Sequence, residues 1–175
     1  MICFIARHGH AINVGEQGVT KDVDRPLSVT GKKQITSVAK GLSQIGVKID
    51  LILCSPFKRT QETALIYAEN LNKDQKFFVT SHLESGARIE NYKAAFDEFK
   101  LWQNYAQKKI LFVGHAPDVG RVVDVLVSIK GMSFDTGNVA QIQLEAPDAP
   151  GILTGFWSPS IFRSEKRRVG KECRS

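Results

Sequence analysis

Four basic side chains follow apolar runs that predict buried strands. They are Arg7 and His8 after the first run, Arg59 after the second, and His115 after a later one. Such a set suits an oxyanion, because a guanidinium can grip two phosphoryl oxygens at once and an imidazole can add a hydrogen bond. Residues just past the carboxyl ends of parallel strands line the ligand crevice of an α/β protein. The spacing therefore predicts a phosphate site at one edge of a sheet.

Arg59 gains a second attraction for anions from its predicted position on a helix. The pair Ser55-Pro56 is typical of a helix start, with serine as the N-cap and proline at the first helical position. Free backbone N–H groups and a partial positive charge at such a terminus attract oxyanions. Taken singly, Arg59 also fits a solvated helix residue, and His8 and His115 fit structural histidines. The convergence of three strand ends favours the binding site.

Strand and helix patterns alternate along the chain, which predicts an α/β sheet. Strands are expected at residues 2–6, 51–54, 77–80 and 110–113, and two late strands at 139–144 and 153–157 should pair at an edge of the sheet. Helices are expected at about 28–46, 55–71, 91–107 and 119–127. Residues 11–25 show no period and follow the first strand, so they predict an ordered loop over the mouth of the site.

Size and composition fit one globular domain. The chain has 175 residues, of which 42% are hydrophobic. The sequence shows neither a signal-peptide core nor a run long enough to span a membrane, which favours a cytoplasmic protein. Cys3 and Cys54 lie in predicted strands and Cys173 near the end, a set that fits neither a disulfide framework nor a zinc site.

The charge is concentrated at the end of the chain. Residues 163–175 carry six Lys or Arg against two Glu, so this segment holds +4 of the net +6 and the other 162 residues hold +2. The segment closely resembles the translation of a sequencing-adapter read-through, and we interpret it as a disordered, non-native tail. Without it, the body offers no strong basic patch, so neither nucleic acid nor a membrane is expected as a partner.

Four segments together resemble a known family. They are Arg7-His8-Gly9, residues 26–31, residues 55–64 and Val113-Gly114-His115. In order and spacing they resemble the signatures of the histidine phosphatase superfamily, and the resemblance covers nearly all of residues 1–162. Short length and compact helix content are similar to the SixA-type phosphohistidine phosphatases rather than the larger phosphoglycerate mutases. The resemblance implies a phosphoglycerate mutase-like, three-layer α/β/α fold with a mostly parallel sheet and helices on both faces.

The resemblance also implies roles for the basic residues. His8 is the expected nucleophile, Arg7 and Arg59 are expected to hold the phosphoryl oxygens, and His115 to donate a further hydrogen bond. Phosphoryl transfer needs in-line positioning and compensation of charge, which two guanidiniums and an imidazole supply without a metal or other cofactor. Attack requires a neutral His8, and the like charges of the two arginines are expected to disfavour its protonation.

The position of a general acid is less well marked. Glu84 is the candidate by its place after a later strand, although an exposed loop carboxylate explains it somewhat better. Other candidates are Glu16, Asp22 and Asp24 in the loop. Asp118 is explained by the helix dipole, and His10 either contacts substrate or caps its loop.

The leaving group decides between substrates. A sugar alkoxide needs a proton as it leaves, whereas an imidazole, with a pKa near about 6.5, leaves more easily. A weak acid position therefore favours a metal-independent phosphatase that hydrolyses phosphohistidine on a phosphorelay or phosphotransferase protein, expected to be a monomer. The alternatives are a phosphatase of a small phosphomonoester and a phosphate-recognition module without turnover.

Overall fold

One mixed sheet forms the centre of the computed structural model, which describes residues 1–72, 74, 76–146 and 149–163 and only the backbone of Tyr105 and Arg163. Its strands are β1 (Ile2–Arg7), β2 (Leu51–Cys54), β3 (Phe78–Val79), β4 (Lys109–Gly114), β5 (Val139–Gln143) and β6 (Ile152–Trp157). They lie in the order β3-β2-β4-β1-β5-β6. The first four strands pair in parallel, and β5 pairs antiparallel with both β1 and β6. The expected mostly parallel sheet and the late pair at its edge are confirmed.

Helices cover both faces of the sheet. They are α1 (Val29–Gln44), α2 (Lys58–Leu71), α3 (Ile89–Glu98), α4 (Leu101–Tyr105), α5 (Asp118–Leu126) and α6 (Pro159–Arg163). One hydrophobic core packs α1 and α2 against the first face, and a second packs α3 and α5 against the other. This is the three-layer α/β/α arrangement that the resemblance implied.

The central strands divide their side chains between the two cores. In β1, Phe4 and Ala6 join the first core, while Cys3 and Ile5 join the second. Successive side chains of a strand point to opposite faces, so a strand with helices on both sides must be apolar throughout. Burial raises the pKa of the Cys3 thiol to about 12, as expected for a core residue. Cys54 is buried as well.

The predicted start of α1 is confirmed. The hydroxyl of Ser28 accepts a hydrogen bond from the Gly31 N–H at 3.0 Å, which is the contact of an N-cap. Ile35, Val38 and Leu42 are buried along one side of this helix at the expected spacing. A glycine is required at position 31, because a Cβ atom there would collide with the carbonyl oxygen of His10.

The single helix predicted over residues 91–107 is wrong, since the structure divides it into α3 and α4. Lys100 lies between them with φ of 48°, in the left-handed region. Tyr92 and Leu101 both belong to the second core, yet residues nine apart lie on opposite sides of a continuous α-helix. The break at Lys100 turns Leu101 back toward the sheet.

The predicted start of α2 is also wrong. The helix begins at Lys58, and Phe57 precedes it without a side-chain cap. Ser55 lies outside the helix, and its hydroxyl oxygen accepts from the Phe57 N–H at 3.4 Å and also lies 2.8 Å from His115 Nε2. The local contact is thus kept beside a tertiary one, and Arg59 remains in the first turn of the helix.

Residues 11–25 contain two short 3-10 helices, Glu16–Gly18 and Asp22–Asp24. The second of them contacts α2. At the other end of the chain, α6 includes Arg163, one residue inside the predicted tail, while residues 164–175 with Cys173 lie outside the described residues. In the part of the chain that the structure describes, no helix is long and apolar enough to cross a membrane.

Candidate active site

The carboxyl ends of β1, β2 and β4 form one edge of the sheet. These strands are neighbours, with β4 in the middle. The chain remains paired just beyond them: the His8 N–H donates to the Gly114 carbonyl at 3.2 Å, and the Ser55 N–H donates to the Val113 carbonyl at 3.2 Å. The three segments carrying the predicted site residues therefore leave the sheet side by side.

The imidazole of His8 is held in one orientation by its own chain. Its Nδ1 atom lies 2.7 Å from the carbonyl oxygen of Gly9. A carbonyl oxygen only accepts, so Nδ1 carries the proton and Nε2 keeps a lone pair. That lone pair accepts a hydrogen bond from Arg59 Nε at 3.2 Å. His8 thus presents an unprotonated nitrogen toward an arginine.

His8 is held in the neutral form. Burial lowers the pKa of its imidazole to about 4, and the positive charges of Arg59, Arg7 and Arg25 act in the same direction, against an opposing contribution from the Gly9 carbonyl. The side chain is 9% exposed. The like charges of Arg7 and Arg59 are the cause expected from the sequence, but burial contributes more to the lowered pKa of His8. A neutral imidazole is the form that can attack phosphorus.

Arg59 connects three parts of the site. Besides its bond to His8, its NH2 group lies 3.5 Å from His115 Nδ1, and the guanidinium stacks on the Phe57 ring with 4.7 Å to the centroid. On the outer side, Asp22 accepts from NH1 through its backbone carbonyl at 2.7 Å and from NH2 through its carboxylate at 3.0 Å. Arg59 is 5% exposed, so its orientation is fixed before any ligand binds.

Arg7 keeps an unused donor at the end of β1. Its NH1 group donates to the Phe134 carbonyl at 2.7 Å, whereas its Nε atom is buried without a hydrogen-bond partner among the described residues. Buried donors are rarely left unpaired. An anion beside His8 would satisfy this donor, which fits the oxyanion-binding role predicted for Arg7.

The His115 side chain contacts His8 on one side and Ser55 on the other. The two rings meet edge to face with centroids 5.3 Å apart, and His115 Nε2 lies 2.8 Å from the hydroxyl oxygen of Ser55. Burial lowers the pKa of His115 to about 3, with smaller contributions from His8 and Arg59. A hydroxyl can donate or accept, so Ser55 can hold either neutral tautomer of His115, including the one that donates from Nδ1.

Gly9 lets the segment after β1 approach the helices closely. Its N–H donates to the Thr63 hydroxyl at 3.2 Å, and that hydroxyl donates to the Arg59 carbonyl at 2.8 Å. A Cβ atom at Gly9 would lie 2.9 Å from the Gly31 carbonyl oxygen. Only glycine fits between the two helices, and the contact ties the His8 segment to the helix that carries Arg59.

Glu84, the predicted general acid, is not in contact with this cluster. Its side chain is exposed and makes no hydrogen bond or ion pair with the residues that the structure describes. The segment that carries it nevertheless reaches the site, because the Gly86 N–H donates to the Asp118 carboxylate at 2.7 Å. Asp118 is three residues beyond His115, and this contact gives it a structural partner besides the helix dipole.

His10 caps its loop. Its Nδ1 atom lies 2.9 Å from the Ser28 hydroxyl, so the loop contact is observed and the substrate contact stays a hypothesis. Among the loop carboxylates, Asp22 binds Arg59, and Glu16 binds Asn13. Over the described part of the chain, no three His, Cys, Asp or Glu side chains are grouped so as to hold a metal ion.

Sequence reasoning missed Ser55 and Phe57 and underrated Asp22. Ser55 was assigned to a helix cap, although its position directly after a buried strand was the same signal that selected Arg7 and His8. Phe57 packs its ring edge to face on His115 with centroids 4.8 Å apart. Asp22 could not be ranked above its acidic neighbours, because its partner Arg59 is 37 residues away.

The chain matches known proteins in both sequence and structure. A sequence model of the histidine phosphatase superfamily (branch 1) matches residues 3–84. The solved structure of the protein histidine phosphatase SixA complexed with tungstate covers 92% of this chain and 99% of its own, with a TM-score of 0.79 and 26% identity. Both matches support assignment to the histidine phosphatase superfamily. They support a SixA-type phosphatase, because the sequence model covers the His8 and Arg59 segments and the SixA structure covers nearly all of the chain.

Two relatives show how far the sequence similarity extends within the superfamily. An uncharacterized protein of Picosynechococcus is 29% identical over 128 residues, which is 72% of this chain and 73% of that protein. The serine/threonine-protein phosphatase Pgam5 of Drosophila ananassae is 33% identical over 86 residues, or 49% of this chain and 28% of that protein. The matches support the superfamily and the SixA-like fold, and the substrate is argued from the chemistry of the site.

Proposed function

We propose that this phosphatase removes the phosphoryl group from a phosphohistidine side chain of a protein, through a phosphorylated His8 intermediate. The proposal assigns the nucleophile to His8 Nε2, phosphoryl binding to Arg7 and Arg59, and a further hydrogen bond to His115. A phosphorelay or phosphotransferase protein is the expected substrate.

The state of Asp22 is the observation that carries the proposal. Among the described residues, it is the carboxylate in contact with the cluster of His8, Arg59 and His115. Its hydrogen bonds to Arg25 and then to Arg59 hold its pKa below the usual range for a carboxyl group, so it is ionised at neutral pH and has no proton to give. An alkoxide leaving group needs that proton, whereas a phosphohistidine releases an imidazole that needs much less help.

The geometry supports a two-step reaction. In the first step the Arg59 Nε–H hydrogen bond passes from the lone pair of His8 Nε2 to an oxygen of the arriving phosphoryl group. The freed lone pair attacks phosphorus, the P–N bond of the substrate breaks, and its electron pair returns to the leaving imidazole, which takes a proton from water. In the second step water attacks the phosphoryl group on Nε2, the new P–N bond breaks toward His8, and phosphate leaves. In this proposal Arg59 Nε, which contacts His8 Nε2, and the unpaired Arg7 Nε compensate the charge of the phosphoryl oxygens.

A comparison of substrates tests the proposal. Wild-type protein and His8→Ala are each incubated with a phosphohistidine-bearing carrier protein and with a panel of phosphosugars, and phosphate release is measured. We expect fast release from the carrier, none from the phosphosugars, and complete loss in His8→Ala. His82→Ala is the matched control, because that histidine pairs with Glu98 at 3.2 Å and not with His8.

A phosphomonoester is the second candidate substrate, and one observation favours it. The Gly86–Asp118 hydrogen bond fixes the Glu84 segment beside the loop of His115, so a bound substrate could meet that carboxyl group. Pgam5, which matches this chain over 86 residues, is a serine/threonine-protein phosphatase, and the phosphorylated forms of serine and threonine are phosphate esters. Release of phosphate from phosphate esters alone would establish a phosphomonoester as the substrate. Binding of phosphate without any release from a substrate would favour a phosphate-recognition module.

We also propose that the phosphatase domain comprises residues 1–162 and acts as a cytoplasmic monomer. The two buried cysteines and the division of the apolar side chains between two internal cores support this view. Sedimentation of the purified protein tests the monomer, and fractionation of the source cells tests the location.

A further inference from the structure

The outer side of Arg59 is occupied by one residue of the loop. Asp22 accepts from NH1 with its backbone carbonyl and from NH2 with its carboxylate. These two acceptors take the end of the guanidinium that NH1 and NH2 share. A planar guanidinium gripped at two points in this way has one orientation in its plane.

The opposite edge of Arg59 faces the reaction site. Its Nε atom points at His8 Nε2, and NH2, which carries two hydrogens, also lies toward His115 Nδ1. A phosphoryl group on His8 would meet this Nε and NH2 edge as a second two-point contact. Asp22 therefore does not occupy the position that the phosphoryl oxygens need, and the two contacts of Arg59 can exist together.

Asp22 is itself held by the loop. Its second carboxylate oxygen accepts from Arg25 NH1 at 2.8 Å, and Arg25 Nε donates to the Ile12 carbonyl at 2.6 Å. Ile12 is joined to the base of the loop, because its N–H donates to the Pro26 carbonyl at 3.1 Å. A continuous series of hydrogen bonds runs from the base of the loop through Arg25, Asp22 and Arg59 to His8.

We infer that Asp22 is a positioning residue, which orients Arg59 so that its Nε and NH2 edge faces the phosphoryl group on His8. The inference rests on the proposed role of Arg59 in phosphoryl binding and adds a loop residue to the site. Asp22 contacts neither the nucleophile nor the phosphoryl group, so it acts through Arg59.

A purely electrostatic role for Asp22 predicts the opposite effect on anion binding. The carboxylate repels an incoming anion, so removal of its charge alone would strengthen binding. Loss of the carboxylate contact would leave Arg59 held by the Asp22 backbone carbonyl alone. Binding would then weaken, because a guanidinium held at one point is not oriented to meet two oxygens at once. The sign of the change in affinity separates the two roles.

The test compares Asp22→Asn and Asp22→Ala with Asp24→Asn in the full chain. Asp24 lies in the same 3-10 helix and its side chain has no partner among the described residues, so its variant makes the same change of charge without touching Arg59. Binding of tungstate, an oxyanion that mimics phosphate, is measured by titration calorimetry, and kcat and KM are measured on the phosphohistidine carrier. The Arg59 Nε–H signal is followed by NMR and assigned by its loss in Arg59→Lys.

We expect both Asp22 variants to bind tungstate about tenfold more weakly, to lose roughly a hundredfold in kcat/KM, and to show an averaged Nε–H signal. Asp24→Asn should behave as wild type, and the melting temperatures should agree. Tungstate affinity that is unchanged or higher in both Asp22 variants would overturn the inference. A wild-type protein that binds tungstate but acts on no phosphohistidine would contradict the proposed substrate, and the binding series would still decide the role of Asp22.

Discussion

The Nδ1 atom of His8 lies 2.7 Å from the carbonyl oxygen of Gly9, the next residue in the chain, and this contact selects the nitrogen that is free to react. The donor and the acceptor belong to adjacent residues, so the choice of tautomer needs no other part of the protein. Arg59 then points its Nε–H at the remaining lone pair, which places a positive group where the transferred phosphoryl group will arrive.

The phosphorylated enzyme should carry its phosphate on Nε2 of His8. Nδ1 is engaged with the Gly9 carbonyl and keeps its proton, so Nε2 is the available nucleophile. Rapid quenching in base after mixing with a phosphohistidine carrier, followed by nitrogen-phosphorus NMR of the isolated peptide, reports the isomer. Phosphate on Nδ1 would contradict this assignment, and His8→Ala serves as the unlabelled control.

Arg59→Lys should lower kcat/KM by about a hundredfold or more. Lysine keeps the charge but presents a single ammonium, so the two-point contact with the phosphoryl oxygens and the bond from Nε to His8 are both lost. Steady-state assays on the carrier protein measure the loss. Arg121→Lys is the matched control because its side chain is 72% exposed, and equal effects of the two changes would count against the role of Arg59.

Ser55→Ala should disturb His115 and lower both activity and stability. The change leaves the buried Nε2 of His115 without its partner, which costs about 1–3 kcal/mol of unfolding free energy. We expect turnover to fall roughly tenfold because His115 loses its orientation. Urea unfolding and steady-state kinetics measure the two effects, and Ser43→Ala, an exposed serine in α1, is the control. An unchanged turnover would show that His115 does not depend on Ser55.

Acid should reduce the stability of the folded protein before it protonates the active site. The pKa of His8 is about 4 in the folded protein and near 6.5 when unfolded, so between these pH values the unfolded chain binds a proton that the native state does not. The contribution of His8 to the free energy of unfolding is therefore complete above about pH 6.5. It is lost as the pH falls toward 4, and for such a histidine the loss is about a few kcal/mol. His8→Gln should reduce the dependence of the melting temperature on pH and leave the part due to His115, whose lowered pKa of about 3 acts in the same direction, whereas His82→Ala should not change it.

Glu84→Gln should leave hydrolysis of phosphohistidine within about twofold of wild type. The leaving imidazole needs little protonation, and the Glu84 side chain makes no contact with His8 or Arg59 within the described residues. Glu90→Gln, which changes an exposed carboxylate in the first turn of α3, is the control. A large loss of turnover for Glu84→Gln alone would instead point to an alcohol leaving group.

The sequence predicts those parts of the structure that depend on local pattern. The strands β1, β2 and β4 are continuous apolar runs, and their basic successors meet because parallel strands end at one edge. The break at Lys100 was missed because a lysine in the left-handed region carries no sequence signal of its own. The Ser55–His115 and Asp22–Arg59 contacts could not be predicted because both join segments that are distant in the sequence.

The proposed catalytic cluster lies between the two helix layers. Arg59 belongs to the helix layer of the first core, whereas His115 leads into α5 in the layer of the second core, and Arg59 NH2 lies 3.5 Å from His115 Nδ1. A small sliding of one layer against the sheet would change that distance while both cores stay intact. On warming, the turnover rate should therefore change at a lower temperature than any spectroscopic signal of unfolding. Substitutions that repack one helix layer alone should shift the temperature at which turnover is highest.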